Sequence, residues 1–437
     1  MAVVGGGPGG SFFSYFLLRM AETVGIEIEI DIYEPRHFTH CGPAGCNHCG
    51  GIVSESLVQV LATEGINLPT SVVQRGIDSY VLHMDVGTVR IDTPLQEKRI
   101  AAVFRGNGPR DAEAQSESFD RYLQGLAEEK GARVVRKLVS DLAWVDDKPS
   151  LTHADGPGAI YDLVAVGVGI NSNLLRRLQT SRIGYQPPKT AMTYICEFQL
   201  DPETIHHYLG TSMHVFLLDL PRLEFAALIP KGDVVTMCLL GDDIDTELVE
   251  CFLNSAEVRE CFPPDLEPLP KVCNCSPLIN VAAAEQPFSD RIVFLGDSGV
   301  TRLYKDGIGA AYRTAKAAAV TAVFQGIAAD DFRKHFWPVC RKISADNSIG
   351  KFVFAFNQLF QKKRFSRRAI LRMTAKEQVS DAATRHMSRV LWDLFTGSAP
   401  YREVLRNTMR PGFMVHLAWN LMLGMVPRLW RVPGDTR

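Results

Sequence analysis

The stretch MAVVGGGPGGSFFSYFLLRMAETVG (1–25) runs from four strand-like residues through a glycine turn into an apolar helix. Gly5-x-Gly7-x-x-Gly10 sits at the join. The first glycine allows a tight turn, the second lets a pyrophosphate approach the backbone, and the third lets helix and strand pack closely. The helix N-terminus then offers unpaired N–H groups and a positive dipole end to phosphates. A second strand, IEIEIDIYEP (26–35), ends at Glu34, 24 residues after Gly10. A carboxylate there accepts hydrogen bonds from ribose hydroxyls and disfavours a 2′-phosphate. A bare GxGxxG says little. Strand, turn, helix, second strand and terminal acid together predict a Rossmann-like dinucleotide-binding unit.

Two later segments say which dinucleotide. YDLVAVGVGINSNLLRRL (161–178) is an apolar strand ending in a Gly-x-Gly turn. RIVFLGDSGVTRLYKDGIGAAYRTAKAAA (291–319) is a strand ending at Gly296-Asp297, a loop, and a small-residue helix beginning near Gly307-Ile308-Gly309. In order and spacing the three segments resemble the FAD motifs of the glutathione-reductase-type flavoprotein superfamily. Within it the chain resembles the geranylgeranyl-reductase-like branch, related to aromatic hydroxylases and flavin halogenases. The resemblance covers residues 1 to 330. It implies FAD as cofactor, with Asp297 on the ribityl chain and Gly307, Ile308 and Gly309 at the pyrimidine end, where negative charge grows on reduction. It implies an arginine ahead of SFDRYLQGLAEEKGARV (118–134) that reaches the flavin, either Arg105 or Arg110. The chain departs from the pattern twice. Val168-Gly169 replaces the middle Asp-Gly, and Tyr304-Lys305 stands near a missing proline. No second complete GxGxxG follows, so a nicotinamide donor, NAD(P)H, or a reduced electron carrier would visit only transiently.

THCGPAGCNHCGG (39–51) places Cys41, Cys46 and Cys49 at ferredoxin-like spacing. With Cys273 or Cys275 as a fourth thiolate they could hold an Fe–S cluster; with His40 or His48 they could hold zinc. A redox-active disulfide and metal-free thiols are the other readings. The resemblance adds that Cys49-Gly50-Gly51 matches a Cys-Gly-Gly-Gly element of geranylgeranyl reductases, with Ile52 in place of the last glycine. It thus implies that Gly50 and Gly51 approach the flavin ring, with Cys49 as a proton donor near the substrate. Cys196, Cys238, Cys251, Cys261 and Cys340 read as small buried hydrophobes.

Short β-like runs fill 185–245, including the strand–PKGD–strand element EFAALIPKGDVVTMCLLG (224–241), and SYVLHMDVGTVRIDT (79–93) adds another. The resemblance makes these an inserted sheet over a substrate pocket, with Tyr194, His214 and Glu224 as candidate polar groups. The predicted fold is α/β. A discontinuous FAD domain spans 1–75, 97–178 and 280–330, an antiparallel β-sheet substrate domain spans 76–96 and 179–279, and a helical region spans 331–437.

The 437 residues carry a net charge of −2, which gives no bulk attraction to nucleic acid. Residues 361–437 hold 15 Lys and Arg against 5 Asp and Glu. PGFMVHLAWNLMLGMVPRLWR (411–431), with Trp419 and Trp430 beside Arg410, Arg428 and Arg431, suits an interfacial helix on anionic lipid. His416, Asn420 and Pro427 interrupt it, which argues against a spanning helix. The opening residues lack the charged and apolar regions of a signal peptide, which predicts a cytoplasmic protein, peripheral on the inner face of the membrane. The expected function is FAD-dependent reduction of carbon–carbon double bonds in an isoprenoid or other long apolar substrate, the proton coming from Cys49 or water. Alternatives are a membrane-associated electron-transfer flavoprotein with a Cys-ligated Fe–S cluster, and an FAD-dependent hydroxylase. The Trp-x-Trp-x-Ile-Pro element of halogenases is not in the sequence.

Overall fold

The computed structural model describes residues 1–425 apart from 43–45, 47–48, 95–98, 110–116, 155, 180–182, 267 and 381–383. Arg110, His48, Pro427, Arg428, Trp430 and Arg431 lie outside the described residues.

The chain is α/β. The apolar strand Ala2–Val4 is fully buried and central in a six-stranded sheet. It pairs in parallel with Asp31–Tyr33 on one side and with Val164–Val166 on the other. Arg133–Val135 and Ile292–Phe294 extend the sheet in parallel, and Phe288–Ser289 closes one edge antiparallel. The chain therefore leaves its first strand in one direction and later returns on the opposite side. That is a topological switch point, and it opens a crevice at the strands' carboxyl ends. The second strand is shorter than its alternating sequence predicts. Only Asp31–Tyr33 is paired, because the parallel ladder with Ala2–Val4 spans three residues.

The helix Pro8–Val24 starts three residues earlier than the apolar run suggests, so Gly9 and Gly10 lie in its first turn. Phe12 and Phe16 pack edge-on to Tyr312 of the helix Gly307–Phe324, with centroids 5.8 and 5.5 Å apart. This aromatic seam joins the two helices whose N-termini face the crevice.

A second, seven-stranded sheet takes Ser79–Met84 and Gly87–Asp92 from early in the chain, and the rest from 194–275; it is mixed and not wholly antiparallel as expected, because Ser79–Met84 joins Ser212–Phe216 in parallel. Its PKGD element is a hairpin of Leu223–Lys231 and Val234–Gly241. One face, with Met213, Phe225 and Ile229, packs toward the crevice and the C-terminal helices. The other, with Phe198, Phe216 and Leu228, is covered by Pro202–Leu209 and Thr246–Leu253. The C-terminal region is helical: Trp337–Gln361, Arg364–Gln378, His386–Thr396, Tyr401–Thr408 and Pro411–Gly424. It packs into the same core as the crevice-facing side of the sheet through Phe354, Trp392, Phe395 and Tyr401.

Candidate functional site

A cavity of about 470 Å³ runs from the N-terminal glycine turn to the seven-stranded sheet. Gly5, Gly7 and Glu34 line its first end, Arg105, Gly296 and Asp297 its middle. Gly307 and Ile308 lie beyond, and Cys49, Gly50 and Gly51 form part of the wall. Gly169 lines it too, in the loop that carries Val168. Gly10 and Gly309 do not line the cavity. A Cβ on Gly10 would fall inside the radius of Gly5 O and lie 2.7 Å from Val3 Cγ1, so this glycine serves helix–strand contact. Gly309 is packed on the Asp306 carboxylate.

The Glu34 carboxylate is buried and engaged within the chain. It accepts from Gly6 N and Arg36 N, each at 3.0 Å, and from Arg36 Nε at 3.0 Å. Arg105 makes a two-pronged pair with Asp120, at 3.0 and 2.8 Å, and Asp120 is 0% exposed. Ser118 caps the helix Phe119–Glu129 that carries Asp120. Burial disfavours charge on both partners, but the two-pronged geometry holds the pair ionic and keeps Arg105 above its ordinary value. Burial also pushes Asp297 up, with Arg105 pulling it back.

Both helix N-termini facing the cavity lack a side-chain cap and any acid in the first turn. Three buried polar atoms of cavity-lining residues have no hydrogen-bond partner among the described residues: Asn280 Oδ1, Arg302 Nε and Lys305 Nζ. Uncapped helix ends and unsatisfied polar groups, on a cleft at a switch point, fit an elongated ligand rich in phosphate and hydroxyl oxygens, as FAD is.

The far end is apolar. Ile195, Met213, Phe225, Ala227 and Ile229 project from the sheet, and Phe395 comes from the C-terminal helices. Cys49 stands between the two ends, its sulfur accepting from Gly51 N at 3.3 Å. Gly51 has φ +69°, and a Cβ there would overlap Val103 O and lie 2.9 Å from Lys231 Nζ. Only glycine fits that bend.

Several side chains here had no sequence signal of their own. Lys231 of the PKGD hairpin is 1% exposed and lies 4.8 Å from the Phe104 ring centroid. Lys305 places its ammonium among Phe354, Phe395 and Tyr401, and burial drives it well below its ordinary value. The loop around it holds Tyr304 and Asp306 at φ 62° and 55°. Asp306 pairs with Arg302 at 3.2 Å and with Arg313, and Asn347 accepts from Leu303 N at 2.9 Å. These bonds fix the loop at Tyr304-Lys305.

The thiols divide. Cys41 faces Asn107 O at 3.3 Å. Cys46, Cys49 and Cys273 share a small side cavity, and the Cys46 contact, followed by burial, raises Cys275. Burial pushes Cys238 and Cys273 up to about 12. Among the described residues, no three of Cys41, Cys46, Cys49, Cys273 and Cys275 converge closely enough for one ion. Cys196 and Cys340 are buried as expected, but Cys251 is exposed, on the solvent side of Thr246–Leu253. Cys238 is buried yet lines the cavity. Of the candidate polar groups, Tyr194 lines the cavity. Glu224 bonds Gln358, and His214 lies on the opposite face of the sheet.

No family model and no curated protein matches the chain. Solved structures do. A geranylgeranyl bacteriochlorophyll reductase-like protein from Thermoplasma acidophilum matches with a TM-score of 0.65 at 13% identity, over 96% of this chain and 98% of that one. The halogenase PltM, in complex with phloroglucinol and FAD, matches at 0.59 and 11%, over 98% and 91%. A flavoprotein/dehydrogenase from Cytophaga hutchinsonii matches at 0.59 and 12%, over 98% of each chain. At these identities the likeness establishes a shared fold: the chain is built on the plan of these reductase-like, halogenase and dehydrogenase structures.

Proposed function

We propose that the chain is an FAD-dependent oxidoreductase that reduces carbon–carbon double bonds of an isoprenoid or other long apolar substrate. The observation that carries this reading is the two-ended cavity, with Cys49 where the glycine-lined end meets the apolar end. Reduced FAD, when bound, would supply the hydride. Gly5, Gly7 and the uncapped first turn of Pro8–Val24 would bind the phosphates, and the uncapped N-terminus of Gly307–Phe324 would favour the negative charge that grows on reduction. Asp297 would hold the ribityl hydroxyls, and Gly50 and Gly51 would let the backbone approach the ring. Met213, Phe225, Ile229 and Phe395 align the apolar chain and exclude water. Cys49 holds a proton at Sγ for the alkene carbon that does not receive hydride. An isolated alkene is a poor hydride acceptor, so proton placement sets the rate. NAD(P)H or a reduced carrier replaces the electrons.

The reading extends to where the enzyme works. The helix Pro411–Gly424 buries Phe413, Leu417, Asn420 and Gly424 against its neighbours, and turns Met414, Val415, Trp419 and Met422 outward. This outward apolar face, in a segment whose sequence holds an excess of Lys and Arg, would rest on anionic lipid. No helix among the described residues is long and apolar enough to cross a membrane.

The test is anaerobic turnover of chemically reduced, flavin-loaded protein with an isoprenoid alkene, read by mass spectrometry. Gain of two hydrogens with oxidation of the flavin supports the proposal. A preparation that stays colourless after reconstitution with FAD overturns it. An oxygen-dependent hydroxylated product assigns the fold to hydroxylase chemistry instead. Iron that stays bound after flavin removal would favour electron transfer.

A further inference from the structure

We infer that His83, His214 and Cys261 form a zinc site on the back of the seven-stranded sheet, apart from the cavity. His83 lies on Ser79–Met84 and His214 on Ser212–Phe216, strands that pair in parallel with Phe216 opposite His83. Side chains alternate across a sheet. Met213 and Val215 therefore face the cavity-side core, while His214 and Phe216 face away from it. Cys261 comes from the other layer, two residues beyond the short helix Ala256–Arg259.

Three ligand atoms converge there. His83 Nε2 and His214 Nδ1 are 2.8 Å apart, and Cys261 Sγ lies 3.4 Å from His214 Nδ1 and 3.9 Å from His83 Nε2. Among the described residues this is the one group of three such side chains within ligand reach of each other. All three are buried, at 5%, 6% and 2% exposure. Metal–nitrogen bonds of about 2.0–2.1 Å and a metal–sulfur bond of about 2.3 Å in a tetrahedral arrangement set these atoms about 3.3–3.6 Å apart. The observed triangle is close to that. The two rings need to part by about half an ångström to admit the ion.

The second layer of contacts supports His214 as a ligand, while His83 Nδ1 has no partner among the described residues. His214 Nε2 faces Leu209 O at 3.3 Å. A carbonyl oxygen only accepts, so Nε2 carries the proton and Nδ1 keeps its lone pair toward the centre of the triangle. Metal-free, the cluster has the nitrogen–nitrogen hydrogen bond, the His214 Nε2–Leu209 O bond and only long thiol contacts, at 3.4 and 3.9 Å to the imidazoles and 3.5 Å to Glu257 O. That is little return for placing two imidazoles and a thiol against Phe216 and Phe252 in an apolar layer. Two imidazoles and a thiolate without a carboxylate select a thiophilic ion over magnesium or calcium. Binding releases the thiol proton and moves the proton of His83 from Nε2 to Nδ1. Three protein ligands leave a fourth position for water. The ion would tie the sheet to the helical cover of 246–262.

The test uses the purified full chain. Elemental analysis after extensive desalting is expected to give about one zinc per chain. Added zinc is expected to raise the melting temperature of the chelator-stripped chain, and cobalt to produce a thiolate charge-transfer band in a difference spectrum. A Cys46→Ser/Cys275→Ser variant should keep the zinc and the band, and Cys261→Ala should lose both. The inference is overturned if the stripped chain takes up no zinc. It is equally overturned if the metal and the band vanish with Cys46 and Cys275, a readout that does not depend on the folding of Cys261→Ala.

Discussion

At the scale of single residues, two positions separate chemistry from architecture. Cys49 contributes a sulfur to the cavity wall and little to packing, being part-exposed and hydrogen-bonded only through Gly51 N among the described residues. Cys49→Ala is therefore expected to keep its flavin and its melting temperature while turnover falls about 10²–10⁴-fold, the usual yield of a placed proton donor. Steady-state rates beside the visible spectrum of the same preparation check this. A rate within a factor of about three of the parent would assign the proton to water. Arg105 is the opposite case. Its partner Asp120 is wholly buried, so Arg105→Gln takes the two-pronged countercharge away from a buried carboxylate. The expected cost is about 3–5 kcal/mol in urea unfolding. Adding Asp120→Asn should recover part of it, because the second change removes the buried negative charge that Arg105 had balanced. Arg105 was legible only as one of two arginines ahead of a helix. Its pairing with Asp120, 15 residues on and 3.0 Å away beside the Ser118 cap, had no signal in the sequence, and Arg110 lies outside the described residues.

At the scale of elements, the helices of the C-terminal region carry two further expectations. His386–Thr396 holds Asp393, which burial pushes up to about 6, with Arg389 opposing. A raised carboxyl stabilises the fold below its unfolded value, near 3.8. That contribution is lost as pH rises through 6. Asp393→Asn should therefore match the parent at pH ~4 and exceed it at pH ~8, by on the order of 1–3 kcal/mol once solvent screening is allowed for. Urea midpoints at the two pH values measure it, and a gain at the acid end alone would reverse the assignment. The helix Pro411–Gly424 is apolar on both faces. One docks on Arg364–Gln378, where a Cβ on Gly424 would lie 2.5 Å from Phe365 O, and the other leaves Val415 66% and Trp419 57% exposed. Val415→Ser/Trp419→Ser is expected to abolish cosedimentation with phosphatidylserine vesicles and leave the melting temperature unchanged. Retention on those vesicles would remove the lipid reading. The sequence pattern could not divide these two faces, since apolar residues all round a helix carry no moment to say which side is covered.

At the scale of the whole molecule, the parallel sheet and its glycine turn were legible because their signals are local. A strand, a tight turn and a helix within 25 residues declare themselves. The distal end of the cavity was not. It joins Met213 and Phe225 of the seven-stranded sheet to Phe395, some 170 residues further on, and nothing in the spacing of those residues links them. The same holds for Lys305, whose setting is made by Phe354, Phe395 and Tyr401 from three different helices. The loop is tied down by Arg302, which bonds Gly397 O and, at 2.7 Å, Ala399 O. So the cavity walls belong to all three parts of the chain. A ligand in the cavity stabilises by mass action, by about 2.7 kcal/mol at a hundredfold excess over its dissociation constant. Because the parts share these walls and the sheet and C-terminal helices share one core, that stabilisation should fall on one common transition. Calorimetry of flavin-free and FAD-saturated protein is expected to show the whole heat-absorption peak moving upward together. Two peaks of which only one responds would mean that the parallel sheet alone holds the cofactor and that the apolar end of the cavity forms independently of it.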